Sequence, residues 1–180
     1  MVDPVLSGII DQIEKSPLAQ HAQKIGMLCI MWAQLEFHID SLLLRLLANP
    51  QAQTAGMLVS QMDLRNKIAA LRTIGFDQSP NKKWYSELEK ELNTIDNDLR
   101  PARNRVVHDS WYKIGDDVYR LWRNAKVIKE QPRTQVLKLW DTKPVTLSDL
   151  MVLQIKVLAA SGQIDALTDA LKAHQTSRGK

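Results

Sequence analysis

One apolar stripe constrains the fold of this chain more than any other feature of its sequence. From Trp84 onward, apolar residues recur every three or four positions as far as Val106. This spacing places them on one face of an α-helix, and they are Trp84, Leu88, Leu92, Ile95, Leu99, Ala102 and Val106. We therefore expect a long amphipathic helix that packs this face against a core.

Other segments repeat this period and predict further helices. A long core helix from about Leu18 to Ala48 carries the stripe Ile25, Leu28, Trp32, Leu35, Ile39, Leu42 and Leu46. A last long helix follows Leu150, Val157, Ile164 and Leu171. A shorter helix is predicted along Val5, Ile9 and Ile13, before the long helix. After the long helix come a short segment that follows Pro50 and a helix along Ile68, Leu71 and Ile74.

Several helix starts are marked by a proline that follows a side-chain acceptor. The acceptor caps the first backbone N–H groups, and proline suits the first helical position because it has no N–H to satisfy. The four pairs are Asp3-Pro4, Ser16-Pro17, Asn49-Pro50 and Ser79-Pro80. Asp63 is a further predicted cap, and Thr146-Leu147-Ser148-Asp149 has the pattern of a capping box that opens the last helix.

The period changes between the helical stripe and the last helix. The stretch from Trp111 to Arg123 is β-prone around Gly115, and the stretch from Thr134 to Trp140 alternates with a period of two residues. We expect two or three short antiparallel strands with a turn near Gly115. The sequence thus predicts a mainly α fold. It is a single helical domain over 1–180, an antiparallel bundle with a small antiparallel β insertion at about 111–144 before the last helix.

The composition is that of an ordinary soluble globular protein. Of the 180 residues, 44% are hydrophobic and 24% are charged, which disfavours a disordered chain. Cys29 is the single cysteine, so neither an internal disulfide nor a cysteine-rich metal site is expected. The longest apolar run, Ile25 to Ala33, falls short of the roughly 20 residues that cross a bilayer, and no secretory signal is visible at the N-terminus. We expect a cytoplasmic protein.

Positive charge is concentrated in the predicted strands. Between Trp111 and Pro144 there are eight basic and four acidic residues, so this stretch holds the whole net charge of +4. Half of the aromatic residues of the chain lie there as well. Because cations bind phosphates and flat rings stack on bases, this pattern favours nucleic-acid binding. The alternative is a hairpin with one aromatic face on the core and its lysines in water.

Several kinds of site are disfavoured by what the sequence lacks. No glycine-rich loop follows a predicted strand, so nucleotide and dinucleotide cofactors have no support. The four histidines show no zinc-binding spacing. Glu36 and Asp40 lie near His38 on the long helix, without the repeated Glu-x-x-His pairs of a two-metal carboxylate site. We therefore predict no cofactor and no metal.

The remaining candidate is the run that ends the helical stripe. Arg103 and His108 are separated by four residues, and Asn104 follows the arginine directly. An arginine can bind a phosphate through two parallel hydrogen bonds, and a histidine can accept or donate a proton near neutral pH. Together they suit metal-free RNA cleavage, in which His108 takes the proton of a ribose 2′-OH and Arg103 stabilises the charge on the phosphoryl oxygens.

This run resembles the Arg-x(4–6)-His motif of the HEPN superfamily, a set of all-α domains that includes many ribonucleases of toxin–antitoxin and phage-defence systems. Arg103, Asn104 and His108 match the motif positions as they stand. The segments Trp32-Ala33-Gln34-Leu35-Glu36 and Leu42-Leu43-Leu44 are similar to the first long helix of some members. The resemblance covers roughly residues 20 to 112.

The resemblance implies a metal-independent endoribonuclease that acts as a toxin or in phage defence, with RNA as its substrate and an antitoxin protein as a further partner. It also implies a homodimer, because two subunits of this family usually pair so that both motifs line one cleft. In this hypothesis His108 is the general base or acid, Arg103 binds the phosphate, and Asn104 orients one of them.

The nucleic-acid-binding candidates are Arg105, Trp111, Lys113, Arg120 and Arg123.

Helix geometry leaves alternatives open. On an ideal helix Arg103 and His108 are about 140° apart, so they do not meet directly. Pro101 removes a backbone donor and is expected to kink or restart the helix just before the motif. One alternative is a non-catalytic HEPN-like module that binds nucleic acid or protein, for example a regulatory or prophage protein. Another is that Arg103 and His108 simply lie on a solvated helix end.

Overall fold

The computed structural model describes residues 16–47, 52–131, 134–140 and 143–178, with side chains for 16–47, 54–121 and 143–177. Within these residues the fold is mainly helical, with a small antiparallel sheet directly before the last helix, which confirms the predicted fold class. The helices are α1 Pro17–Leu47, α2 Ala52–Gln61, α3 Leu64–Gln78, α4 Lys82–Asn93, a π-helical segment Thr94–Leu99, α5 Arg100–His108 and α6 Leu147–Arg178. The strands are β1 Ser110–Ile114, β2 Asp117–Gln131 and β3 Thr134–Trp140.

The described residues group into two compact units. The first takes in the described parts of 1–29 and 102–154, and the second those of 30–101 and 155–180. The second unit has a core of fully buried aliphatic side chains, among them Leu35, Ile39, Leu42, Leu46, Leu71, Leu88, Leu92, Ile95 and Ile164. Each such side chain stabilises the fold by about 1.5–3 kcal/mol relative to full exposure. These are the predicted stripe positions, so the helical periodicity identified the core correctly.

Helix α1 begins where the sequence indicates. The Ser16 Oγ accepts a hydrogen bond from the backbone N–H of Ala19 at 3.1 Å, and Pro17 occupies the first helical position. Helix α3 is likewise capped by Asp63, whose side chain accepts from the N–H of Asn66 at 2.8 Å. Both caps confirm the prediction from the acceptor residues.

The start of α4 corrects one predicted cap. Ser79-Pro80 was expected to open this helix, but the helix begins at Lys82, and Asn81 is the cap. The Asn81 side chain accepts from the N–H of Trp84 at 2.9 Å, while Ser79 is extended with ψ 140°. An asparagine caps at least as well as serine, so the later acceptor displaces the start by two residues.

Helices α3 and α4 approach closely at Gly75. A Cβ built on Gly75 would lie 2.8 Å from Cδ2 of Leu88, which is fully buried. Real Cβ atoms essentially never come so close to another heavy atom, so only glycine fits without displacement of the core.

The predicted disturbance at Pro101 takes the form of a π-helical segment. Residues Thr94–Leu99 are π-helical, with the N–H of Arg100 bonded to the carbonyl of Ile95, and the α-helix resumes at Arg100. A π-helical segment replaces some of the i→i−4 hydrogen bonds by i→i−5 bonds, here just before a proline that has no N–H to donate. Pro101 itself lies inside α5.

The sheet belongs to the first unit and has the order β1-β2-β3, with both pairs antiparallel. Gly115 adopts φ +60° in the turn between β1 and β2, because glycine enters this left-handed region without steric cost. The predicted turn is therefore confirmed, but β2 runs for 15 residues and is not the short strand expected. Its pairing with β3 shifts register between Leu121 and Lys126.

The capping box at the start of α6 is complete. The Thr146 Oγ1 accepts from the N–H of Asp149 at 3.1 Å, and the Asp149 carboxylate accepts from the N–H of Thr146 at 2.8 Å and from its hydroxyl at 2.7 Å. Hydrogen bonds from the Thr146 side chain and backbone lower the pKa of Asp149 below its ordinary value.

Thr146→Ala is expected to destabilise the protein by about 1 kcal/mol at pH 7 through loss of the cap. Because the folded-state pKa of Asp149 is lowered, its contribution is present at neutral pH and is lost as the pH falls through that pKa. The difference in unfolding free energy between wild type and variant should therefore shrink at acid pH. Urea unfolding at pH 7 and pH 3 measures it, with the exposed neighbour change Ser148→Ala as control; a difference independent of pH contradicts the prediction.

Two helices, Pro17–Leu47 and Leu147–Ser177, are long and apolar enough to cross a membrane by length and composition alone. Their most apolar windows are 33% and 39% buried within the protein. The core helix of a soluble protein passes the same test.

Some predictions fall on residues outside the described part of the chain. These are the helix along Val5, Ile9 and Ile13 and the caps at Asp3-Pro4 and Asn49-Pro50.

Candidate functional site

The candidate motif lies in the last two turns of α5, in the first unit. The helix ends at His108, and the N–H of Asp109 closes its final turn on the carbonyl of Arg105 at 3.1 Å. Val106 is buried and anchors this end of the helix. The Arg103-Asn104 pair lies one turn before the end, and the histidine is the last helical residue.

Arg103 and Asn104 are joined directly. Nη1 of Arg103 donates to Oδ1 of Asn104 at 3.2 Å, and both residues are half-buried. The amide oxygen thus holds one edge of the guanidinium. In the hypothesis from the sequence Asn104 orients Arg103 or His108, and the contact observed is with Arg103.

His108 is exposed at the end of the helix. Among the residues that the structure describes, no hydrogen bond or ion pair joins its ring to Arg103 or Asn104. The separation of about 140° on a helix accounts for this, because the two side chains leave the backbone in different directions. A single chain therefore presents an oriented guanidinium and an exposed imidazole that are not bonded to each other.

A carboxylate that the sequence reasoning missed fixes the end of this helix to the sheet. Oδ2 of Asp109 accepts from Nε of Arg105 at 3.2 Å and lies 3.8 Å from Nε of Arg120 on β2. The Asp109 side chain is only 9% exposed. The i, i+4 spacing of Arg105 and Asp109 was a usable signal for the first contact, but the contact from β2 depends on tertiary structure.

Trp111 is packed within the first unit. Its indole N–H donates to the carbonyl of Val106 at 2.8 Å, the guanidinium of Arg120 lies 5.8 Å from its ring centroid, and the ring of His21 lies 5.9 Å away. Two of the predicted nucleic-acid-binding residues, Trp111 and Arg120, therefore contact each other across paired positions of β1 and β2.

His21 is a second residue that the sequence reasoning missed. Its ring is buried, with Nδ1 at 2.7 Å from the carbonyl of Pro17 and Nε2 at 2.7 Å from the carbonyl of Val145. The N–H of Val145 in turn donates to the carbonyl of Val118 at 2.8 Å. Val145 thus connects α1, through His21, to β2. No pattern in the sequence around His21 or Val145 predicts this contact.

The outer part of the hairpin formed by β1 and β2 is more exposed to solvent. Lys113 is exposed, with Nζ 3.8 Å from the carboxylate of Asp116. The rings of Tyr112 and Tyr119 stack at paired positions, 5.8 Å apart and 21° from parallel. Ile114, two residues from Tyr112 and hence on the same face of the strand, is also exposed. Arg123 lies on β2, and its side chain is outside the described set.

The acidic residues of α1 that the sequence analysis considered for a metal site bind other side chains of the second unit. Glu36 accepts from the indole N–H of Trp32 at 2.8 Å, and Asp40 binds Nζ of Lys67 at 2.6 Å. His38 lies 3.2 Å from Asp165. In the described ranges no group of three or more His, Cys, Asp or Glu side chains is arranged to hold a metal ion.

Comparison of the chain with protein-family models, with curated proteins and with solved structures found no match.

Proposed function

We propose that this protein is a metal-independent endoribonuclease of the HEPN type, acting in the cytoplasm as a toxin or phage-defence effector. The observation that carries the proposal is the Arg103-Asn104 pair, with the guanidinium hydrogen-bonded at 3.2 Å, one turn before an exposed His108. In this proposal Arg103 is the phosphate-binding group and His108 the proton-transfer group, and both residues lie near the same helix end.

The proposed reaction gives His108 and Arg103 one role each. The His108 imidazole takes the proton of the ribose 2′-OH, the 2′ oxygen forms a bond to the adjacent phosphorus, and the bond from phosphorus to the 5′ oxygen breaks. Arg103 stabilises the charge that builds on the phosphoryl oxygens. The products are a 2′,3′-cyclic phosphate and a 5′-hydroxyl, after a proton returns to the 5′ oxygen.

Two copies of the chain suit this chemistry better than one. One imidazole cannot remove a proton and deliver another at the same moment, and within one chain His108 is not bonded to Arg103. If two copies place their motifs on one cleft, the imidazole of one acts as base and that of the other as acid. The homodimer is therefore part of the proposal, with an antitoxin protein as a further partner.

The test is cleavage of matched substrates by the purified wild-type protein in EDTA. We expect an RNA oligonucleotide to be cut to products that end in a 2′,3′-cyclic phosphate, and the same sequence with 2′-deoxy sugars to stay intact, because only the ribose supplies the internal nucleophile. Gel mobility before and after acid opening of the cyclic phosphate identifies the ends. Cleavage of the deoxy substrate, or products with a 5′-phosphate, would contradict the mechanism.

A second candidate is a HEPN-like module that binds single-stranded nucleic acid without cleaving it. The observation that favours it is the stacked pair of Tyr112 and Tyr119 with exposed Ile114 on the same strand face, beside exposed Lys113. Aromatic faces bind bases by stacking with little regard to sequence. This candidate predicts RNA binding with a steep salt dependence and no turnover in the same assay.

A further inference from the structure

The ring of His21 lies between two backbone carbonyls of the first unit. Its Nδ1 is 2.7 Å from the carbonyl oxygen of Pro17, one turn earlier on α1. Its Nε2 is 2.7 Å from the carbonyl oxygen of Val145, in the segment 143–146 that precedes α6. The residue is only 6% exposed, so solvent has little access to the ring. Both ring nitrogens therefore face oxygen atoms that accept a hydrogen bond and cannot donate one.

The number of protons on the ring decides how many of these contacts are hydrogen bonds. A neutral imidazole has one N–H and one lone pair, and a backbone carbonyl only accepts. In a neutral His21 one nitrogen would direct its lone pair at a carbonyl oxygen 2.7 Å away, which is repulsive. With a proton on each nitrogen both contacts are hydrogen bonds, and their length is typical of N–H groups that carry a positive charge.

The aromatic neighbour of this ring also favours a cation. The ring of Trp111 on β1 lies 5.9 Å from that of His21, at an angle of 48°. This distance is within the range of cation–π contacts, to which tryptophan contributes most among the aromatic residues. Lys113, the one charged residue of β1, lies 3.8 Å from Asp116 at the turn. The strand thus adds a π system beside the imidazole.

The other charged groups on the surrounding elements are engaged elsewhere or point to solvent. Lys24 follows on α1, and Lys143 is exposed in the segment 143–146. Arg120 on β2 lies 3.8 Å from Asp109, which offsets its charge. Asp149 at the start of α6 accepts the hydrogen bonds of its capping box. Within the described residues none of these groups is bonded to the imidazole, so the two carbonyls are its hydrogen-bond partners.

The contacts of this ring reach the sheet and the end of the motif helix. The N–H of Val145 donates to the carbonyl of Val118 on β2 at 2.8 Å, so His21 is joined to the sheet through one residue. The indole N–H of Trp111 donates to the carbonyl of Val106, in the last turn of α5, at 2.8 Å. A change in the state of the ring is therefore transmitted to both elements.

We propose that His21 is a buried imidazolium and acts as a pH-sensitive switch of the first unit. In the protonated state the ring donates to both carbonyls and holds α1 against the segment 143–146. When the pH rises and the ring loses one proton, one of the two bonds becomes a repulsive contact, and this junction loosens. The inference does not depend on RNA cleavage, and it adds a way in which pH acts on the fold.

The direction of the pH effect on stability follows from the charge. In an unfolded chain a histidine loses its proton at about pH 6.5. The folded protein keeps the proton to higher pH, because the proton makes the second hydrogen bond. Folding therefore takes up a proton above that pH, and the stability supplied by His21 declines as the pH rises.

The first test observes the ring protons directly, by heteronuclear nitrogen–proton NMR of the wild-type protein at pH 7. The signals of His21 are those that disappear in His21→Gln, and their contact with the Trp111 ring assigns them if this variant does not fold. We expect a proton on each of the two ring nitrogens. A ring with one unprotonated nitrogen at pH 7 would overturn the proposal.

The second test follows two indole N–H signals of the wild type from pH 6 to pH 10. Trp111 lies beside His21, whereas Trp84 donates to the carbonyl of Leu167 at 2.9 Å in the second unit and serves as the control. We expect the Trp111 signal to shift together with the loss of the His21 proton and the Trp84 signal to stay in place. A Trp111 signal that does not move, or that moves together with Trp84, contradicts the switch.

The third test is urea unfolding of the wild type and His21→Gln between pH 6 and pH 9. Glutamine donates to a carbonyl but has no charge to lose, so the folding constant of the wild type relative to this variant should fall by up to about tenfold for each pH unit. The control is His174→Gln, a change at a half-buried histidine near the end of α6, for which the same ratio should change little. A ratio for His21→Gln that is constant or rises with pH shows that the ring is not held as a cation.

Discussion

His108→Ala is expected to slow RNA cleavage about 10²–10⁴-fold, the range that general acid–base catalysis usually contributes. His108 is exposed at the last position of α5, so its loss should leave the fold and the thermal midpoint unchanged. Cleavage of a labelled RNA in EDTA under single-turnover conditions measures the rate. The reason for the large effect is that the His108 imidazole is the general base or acid of the proposed reaction.

The control for His108→Ala is His174→Ala, which removes a half-buried histidine near the C-terminal end of α6. It should cleave at the wild-type rate. Arg103→Lys adds a second check, because lysine keeps the charge but cannot bind a phosphate through two parallel hydrogen bonds. If His108→Ala cleaves as fast as the wild type, the imidazole has no part in the reaction and the nucleic-acid-binding module becomes the better hypothesis.

Asp40→Ala is expected to destabilise the protein by about 3 kcal/mol, the largest loss of stability that we predict for a single polar side chain. Asp40 on α1 binds Nζ of Lys67 on α3 at 2.6 and 2.9 Å, and the Lys67 side chain is only 10% exposed. Removal of the carboxylate leaves a buried ammonium without its partner. The midpoint of urea unfolding, with an unchanged slope, measures the loss.

Two comparisons show whether burial is the cause. Glu87→Ala breaks the exposed i, i+4 pair with Lys83, whose atoms are 3.9 Å apart, and should cost at most about 0.5 kcal/mol. The double change Asp40→Leu with Lys67→Met replaces the buried pair by apolar groups and should recover most of the stability. If the double variant is as unstable as Asp40→Ala, the loss comes from packing at α1 and not from the unpaired charge.

Local periodicity was enough to predict the helices and the core. Of the two predicted stripes, the positions from Leu28 to Leu46 and from Trp84 to Val106 are buried apart from half-buried Ala102, and Ile25 is half-buried as well. The spacing is predictable because a helix face is a property of neighbouring residues alone. Helix caps were harder to predict. Ser79 and Asn81 are both suitable N-cap residues for α4, and only the observed hydrogen bond shows that Asn81 is the cap. The length of β2 was not predictable either, because strand pairing depends on a partner strand distant in sequence.

The candidate site was likewise predictable from the sequence only in part. Arg103, Asn104 and His108 are identified by their order along one helix. The contacts around them involve residues far apart in the sequence: Arg120 reaches Asp109 from β2, and His21 reaches Trp111 from α1. Such contacts follow from how the first unit packs, so they leave no pattern in a short stretch of sequence.

Val145 illustrates how such a contact withstands change in the sequence. Its carbonyl faces the ring of His21 and its N–H donates to Val118, so both bonds at this position belong to the main chain. Drift among ordinary residue types at position 145 leaves both bonds intact, and only proline, which lacks the N–H, removes one of them. In a family of related chains, position 145 could therefore hold any residue except proline without loss of these bonds, whereas the bond to its carbonyl depends on the imidazole at position 21.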